Sequence, residues 1–574
     1  MPSPALKSLK VLIIGLDGGS WNSIEPLARA GRLPNLARLM GGVQGPLAST
    51  IPPVTPPAWT SFMTGKNPGK HGLYHFVEPE PGSYAMRFTN ARSRKARTLW
   101  SLLNEAGRRT GVVNVPMTFP PEPVDGFMIS GMDTPSEASD FVYPRRLVPE
   151  IRKHVGSIKL DLRYLGFMHD DARRLQTLRE LHDVDEQRLR MILHLLDREP
   201  VETFMVVYGS PDTSQHYFWH YADHAHFRYD PTGARTFGSA IEDVYVRLDR
   251  HVGALMERVA DDGLAMIVSD HGFGPTSSKI IYLNRFLADL GLLSYRDDGT
   301  GEARRLLSSA VRGIDRVVRG ALTSGQKRRL AGMFPKLRVG WEQSRTGFDA
   351  IDWSNTKAYC SEVLTSPASV WINVKGRQPQ GIVDPGGEYR DIVEYVKERL
   401  LGLKDPATGG PLVQRVVKKE EAYHGPYLDQ APDLLLAWWE GEGFMAKPSR
   451  PEDRGKPVIA EAPAAFGDRA EWSGEHRFQG VLAVRGAGIR TGEAVTGARI
   501  IDMAPTILHF LGHSVPDDMD GRVLTEIFDE EFLRRRPVSR GAAAGSAGSD
   551  EPDTYSDEEA EMIKKRLQDL GYVD

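Results

Sequence analysis

Three segments of this 574-residue chain share one pattern, an apolar run that meets a carboxylate at a turn. They are "VLIIGLDGG" (11–19), "FMVVYGSPD" (204–212) and "AMIVSDHGF" (265–273). Continuous aliphatic and β-branched runs of this length read as strands buried on both faces, as in a parallel sheet covered by helices. Helical patterns at 171–197 and 240–263 lie between and before them. The alternation predicts an α/β, doubly wound, mostly parallel sheet with an inserted helical or cap region. Ligands of such sheets gather outside the carboxyl ends of the strands, where Asp17, Asp212 and Asp270 all fall. Acids at the mouths of core strands are costly unless something positive meets them. "SDHG" adds His271 directly to Asp270, and the pair reads as a cation site.

The length exceeds what one core usually fills. The reading divides the chain into a first core part (8–290), a basic helical insertion (291–356), a second core part with cap elements (357–530), a disordered linker (536–555) and a C-terminal helix (556–574). Within the second part, 357–375, 432–438 and 478–489 carry strand patterns, and 387–403 and 502–512 helical ones. The insertion places Leu307, Val311, Ile314 and Val318 at helical spacing, with ten Lys/Arg and one acid, Asp315, between Arg304 and Arg338. It reads as a solvated face or as a lid approaching an anionic substrate or membrane surface. The last helix opens with a Ser556–Glu559 capping box and an apolar stripe of Ala560, Ile563, Leu567 and Leu570.

A net charge of -4 gives no reason to expect nucleic-acid binding. Cys360 is the single cysteine, which leaves no internal disulfide and no cysteine metal cluster. The run Val11–Leu16 is too short for a signal-peptide core and Asp17 follows it, so the expected location is cytoplasmic.

"VTPPAWTSFMTGKNPGKHG" (54–72) supplies the candidate nucleophile. Pro56 and Pro57 suit a first helical turn, which makes Thr55 the expected N-cap, and Gly65 closes the helix. A hydroxyl at a helix start sits in positive potential that favours its alkoxide. Asp212 and His216, four residues apart, face one point from one helical turn. A further ligand is expected from the distal chain, with His476 in "SGEHRFQG" and His424 in "AYHGPY" as rivals. His220 and His224 read as solvent-facing, and His71 as fixing a turn. Carboxylates, imidazoles and an alkoxide suit zinc or manganese better than calcium. Two divalent ions would balance Asp17, Asp212, Asp270 and the alkoxide to near neutrality, leaving room for a phosphate group.

"LDGG", "TPPAWTSFMTGKNPGKHG", "DTSQHYFW", "SDHGFG" and "GEHR" follow the order and spacing of the alkaline phosphatase superfamily. They resemble its type I phosphodiesterase/nucleotide pyrophosphatase branch, over most of 8–290 and 355–525. The resemblance implies a phosphohydrolase with two metal ions, usually zinc, in that family. It implies that Asp212, His216 and His476 hold one ion and Asp17, Asp270 and His271 the other. Thr55 would then be the metal-bound nucleophile that forms a phosphothreonine intermediate. Nucleotide pyrophosphatases carry an asparagine soon after "HG", where this chain reads "HGLYHF"; Asn114 is the candidate substitute for substrate binding. Other readings are a phosphomutase or phosphoglycol transferase of the same superfamily, or a non-catalytic protein binding polyanions or a membrane surface through 304–338. The lack of a C/S-x-P-x-R motif argues against a sulfatase.

Overall fold

In β1 (Leu9–Leu16) every residue from Val11 onward is buried, so this strand must sit inside a sheet. The computed structural model describes residues 7–80, 82–160, 170–296, 348–360, 369–437, 443–446, 449, 455–463, 472–546 and 555–569. The basic segment 304–338 lies outside the described residues, as does Leu570.

The first half of the chain contributes β2 (Val43–Ala48), β3 (Thr110–Val113), β4 (Gly126–Ile129), β5 (Val142–Tyr143), β6 (Thr203–Tyr208) and β7 (Val259–Val268). After β8 (Gly272–Ile281) and β9 (Gly474–Arg477) come β10 (Gln479–Gly486), β11 (Glu493–Ala494) and β12 (Ala498–Arg499). The main sheet runs β11-β2-β10-β7-β1-β6-β3-β4-β5, with β12 also pairing β2. β1 is parallel to both β6 and β7, with Leu16 opposite Tyr208 and Gly15 opposite Val268. These registers bring three strand ends to one edge, so Asp17, Asp212 and Asp270 emerge together.

Side chains of β1 alternate between two cores. Leu12, Ile14 and Leu16 enter one, with α1 (Trp21–Arg29) and three helices introduced below. Val11 and Ile13 enter the other, with Trp59, Phe62 and Met63 of α2 (Thr55–Thr64). The helices of the first core are α3 (Asp171–Arg198), α4 (Ser210–Ala222) and α5 (Ala240–Met256). This is the doubly wound, mostly parallel arrangement read from the sequence. A second unit, residues 348–437, builds an antiparallel sheet from 358–360, 369–372, 434–436 and 416–418 around its own apolar cluster, with α6 (Gly387–Leu401) packed on it. α7 (Met503–Phe510) returns to the main sheet's second core. No helix among the described residues is long and apolar enough to cross a membrane.

Three expectations are corrected. The helix read over 240–263 ends at Met256, and β7 takes over from Val259, because pairing with β1 overrides local propensity. Asp261 and Asp262, within β7, pair with Lys7 and Lys10 at the start of the neighbouring β1. In the stretch 536–555, read as a disordered linker, Arg540–Gly541 pairs Val515–Pro516 and the Ala544 N–H donates to Asp518 at 2.9 Å. Composition misses this because the contacts run through the backbone. Thr55, expected to be the N-cap, is the first helical residue, and Val54 with extended backbone precedes it.

α8 (Asp557–Asp569) carries the expected Ser556–Glu559 reciprocal bonds and buries Ile563 and Leu567 in the first core. Tyr555 stacks on Phe119 and donates to the Asp133 carbonyl at 2.7 Å. The Asp133 carboxylate accepts from the Met117 and Phe119 N–H groups at 3.0 and 2.7 Å. Burial nevertheless raises its pKa to about 6. A carboxyl that is harder to ionise folded than unfolded loses stability as pH rises from about 4 to about 6, and the loss is complete above that. A rise of this size corresponds to roughly 3 kcal/mol. Urea unfolding from pH 4 to pH 7 is expected to show this decline, and Asp133→Asn to flatten it; a parallel decline in the variant would contradict the assignment.

Candidate active site

Asp17 follows β1 directly, and Gly18 turns the chain with a φ of 64°, where an added Cβ would lie 2.9 Å from the Phe273 ring. The Gly18 N–H donates to Asp270 Oδ1 at 3.1 Å, joining two strand ends. Gly15 allows the Trp59 ring to close on β1, where a Cβ would stand 2.6 Å from it. Trp59 Nε1 donates to Asp17 Oδ2 at 3.0 Å, one helical turn beyond Thr55. α4 presents Asp212 and His216 at i and i+4, and β9, antiparallel to β8, brings His476 opposite Phe273.

Two groups of donors result. His216 Nε2 and His476 Nε2 each lie 3.3 Å from Asp212 Oδ1 and 3.0 Å from one another. His271 Nε2 lies 3.3 Å from Asp270 Oδ2 and 3.5 Å from Asp17 Oδ1. The His271 and His476 rings stack at 3.6 Å, so the groups adjoin. Donor atoms of Asp17, Asp270 and His271, and of Asp212, His271 and His476, converge closely enough to hold a metal ion.

The other face of each ring explains this convergence. Nδ1 of His216, His476 and His271 lies 2.9, 2.9 and 3.2 Å from the carbonyls of Gly474, Pro53 and Gly272. A carbonyl only accepts, so each Nδ1 carries the hydrogen and each Nε2 turns its lone pair inward. Two inward lone pairs 3.0 Å apart need a proton or a cation between them. The same tethering of the far nitrogen is how metal-binding histidines are fixed in orientation.

The carboxylates carry the same message. Burial, with Asp17 alongside, pushes the Asp270 carboxyl well above its usual range. Burial and His476 push His271 well below its own. Burial opposes ionisation of Asp212 as well, yet His216 and His476 hold it well below the ordinary value. Asp270 Oδ2, His271 Nε2 and Thr55 Oγ1 are buried and make no hydrogen bond among the described residues. Unmatched polar atoms concentrated at one point are the signature of a cation site. These residues fit divalent metal ions.

Thr55 is linked to both groups through its chain neighbours. Pro53, two residues before it, receives His476, and Trp59, four residues after it, holds Asp17. Asn114 adopts φ 56°, donates to the Val207 carbonyl at 2.8 Å, and lines a cavity with Asp17 and Asp212. His424 lies elsewhere, exposed on a latch with Asn67 and Asp520. His71 bonds Ser61 and the Leu73 N–H at a turn. His220, read as solvent-facing, is buried instead, because α4 is covered along nearly its whole length. Sequence reasoning missed Trp59, although its i+4 spacing from Thr55 was the available signal. It also missed Trp472, which stacks on His216 at 3.5 Å.

The sequence matches the model of the family "Type I phosphodiesterase / nucleotide pyrophosphatase" over residues 11–458. Among curated proteins none matches significantly. Phosphonoacetate hydrolase from Sinorhizobium meliloti 1021, in complex with phosphonoformate, shares the fold at TM-score 0.51 and 14% identity, covering 87% of this chain and 95% of that one. Murine ectonucleotide pyrophosphatase/phosphodiesterase 5, an inactive form in complex with AMP, aligns at TM-score 0.47 and 13% identity over 91% of this chain and 100% of that one.

A cation that binds only the folded chain stabilises it by about 2.7 kcal/mol at a hundred times its Kd. Chelator-stripped protein is therefore expected to melt several degrees lower than zinc- or manganese-loaded protein. Asp270→Asn removes a buried acid and is expected to raise the melting temperature of the stripped form while shrinking the gain on adding metal. Equal melting of stripped and loaded wild-type protein would contradict a cation site.

Proposed function

The chain belongs to the type I phosphodiesterase / nucleotide pyrophosphatase family of phosphoric ester hydrolases, and on that premise we propose that it is a two-metal phosphodiesterase with Thr55 as nucleophile. The observation that carries this reading is the set of three imidazoles tethered at Nδ1 around three carboxylates, with a buried, unbonded Thr55 hydroxyl at the start of the helix whose Trp59 holds Asp17.

Asp212, His216 and His476 would hold one ion, and Asp17, Asp270 and His271 the other. Bound there, divalent zinc or manganese supplies Lewis acidity, lowers the pKa of coordinated hydroxyls and neutralises charge on phosphoryl oxygens. The chain's own electrostatic help is limited, since Pro56 and Pro57 lack N–H groups and leave Thr55 as the one donor among the first three helical residues. That deficit favours a metal-dependent hydroxyl over one activated by the helix start alone.

In the first displacement Thr55 Oγ forms a bond to phosphorus, its proton passes to solvent, and one ester oxygen departs and is protonated as the alcohol. Water then attacks phosphorus, the Oγ–P bond breaks, and Thr55 regains its proton. The balance is diester plus water giving monoester plus alcohol. Trp59 keeps Asp17 oriented, and the carbonyls of Gly272, Gly474 and Pro53 keep the three rings from turning.

Turnover of a bis-aryl phosphodiester is expected to vanish on chelation and return with zinc or manganese. Thr55→Ala is expected to lower kcat/KM by at least about a thousandfold, in line with loss of a nucleophile elsewhere. Activity within tenfold of wild type in that variant would overturn the assignment.

A further inference from the structure

Three consecutive residues at the entry to β9 grip His216 of α4 in three different ways. Trp472 stacks on its ring at 3.5 Å. Ser473 takes its backbone carbonyl, donating from N–H at 2.6 Å and from Oγ at 3.1 Å. Gly474 supplies the carbonyl that lies 2.9 Å from Nδ1. Two residues further on, His476 itself faces Asp212. The approach is close, since a Cβ on Gly474 would stand 2.3 Å from the Gln215 carbonyl oxygen and 2.8 Å from the Phe273 ring. Ser473 is fully buried, and its Oγ also accepts from the His220 N–H at 3.3 Å. The hydroxyl therefore touches both ends of one i to i+4 step of α4, the step that begins at a proposed ligand. Ser473 is held in turn by Thr276 of β8, which donates to its carbonyl from N–H at 3.0 Å and from Oγ1 at 3.2 Å. His226 Nδ1 accepts from the Arg228 N–H at 3.0 Å, which leaves Nε2 to donate to Thr276 Oγ1 at 3.3 Å.

We propose that Ser473 is a positioning residue for one of the two metal ions: its hydroxyl fastens α4 to β9 so that Asp212 and His216 meet His476. The inference rests on the two-metal reading above and adds a residue outside the ligand set on which one ion depends. Satisfying the His216 carbonyl needs a single donor, and the Ser473 N–H already provides it. A second donor from the same residue fixes direction as well as distance, at the residue whose ring must aim Nε2 inward. A direct part in the chemistry does not fit Ser473, which has no exposed surface and whose hydroxyl is engaged with α4 both as donor and as acceptor. The other ligand group needs no such fastener. Asp17 and Asp270 follow β1 and β7, whose parallel register already brings their ends together. Asp212 and His216 come from a helix and His476 from a strand outside the main sheet, so contacts such as those of Ser473 must set their relation.

The test measures zinc affinity of the full-length protein by competition with a chromophoric chelator and reads the two equivalents separately. Ser473→Ala keeps the backbone donor and is expected to weaken the equivalent that His476→Ala abolishes. The expected loss is about ten- to a hundredfold, the range typical of partners that orient metal-binding histidines, with the other equivalent unchanged. Ser214→Ala removes another buried hydroxyl of α4, one that bonds the Pro211 carbonyl at 3.0 Å, and is expected to keep both affinities. In cobalt-loaded protein the visible d–d bands are expected to shift in Ser473→Ala and to stay in place in Ser214→Ala. Should Ser473→Ala fail to fold, Thr276→Val retains the Thr276 N–H contact and is expected to weaken the same equivalent. Unchanged affinities in every folded variant, or a weakening that falls equally on both equivalents or on the other one, would overturn the assignment of Ser473. Wild-type protein that binds fewer than two equivalents would instead overturn the two-metal reading on which it rests.

Discussion

Three hydrogen bonds from imidazole Nδ1 to backbone carbonyls set the geometry of the candidate site. Each is ordinary alone, but together they aim three Nε2 lone pairs at three carboxylates in a buried space. Two tethers come from distant parts of the chain, Gly474 for His216 and Pro53 for His476, and the third from Gly272, next to His271. A buried cluster of this kind is tolerable only when positive charge enters it. The cluster therefore suits divalent cations, which is the premise of the two-metal chemistry proposed above.

Parallel pairing makes the cluster possible. β1 between β6 and β7 holds three strand ends in register, and the acid beyond each end inherits that rigidity. Gly15 and Gly18 then let Trp59 and Phe273 close around the emerging carboxylates. α2 contributes Thr55 from the opposite core, so the proposed nucleophile and the proposed ligands of α4 are carried by elements packed on different faces of one sheet.

Much of this was legible in the sequence because buried parallel strands write themselves as apolar runs, and a polar residue at their ends is conspicuous. Asp17, Asp270 and His271 were readable for that reason, and Asp212 with His216 from helical spacing. Choosing His476 over His424 needed the family resemblance, because the pairing of β9 with β8 that seats His476 has no local signature. The start of α2 was misplaced by one residue because proline restricts its predecessor without fixing which residue first turns helical. The carbonyl tethers left no trace, since any residue carries a carbonyl and Pro53 lies 423 positions from His476. Asp185 and Arg188 were hidden for the opposite reason: an acid and a base three apart on a long polar helix usually face water, and only the packed fold buries them.

The most direct test counts metal ions. Elemental analysis of purified, zinc-loaded protein is predicted to find two equivalents per chain, falling to one in His476→Ala and, separately, to one in Asp17→Asn. A wild-type chain that binds no metal, or variants that keep both equivalents, would contradict the account.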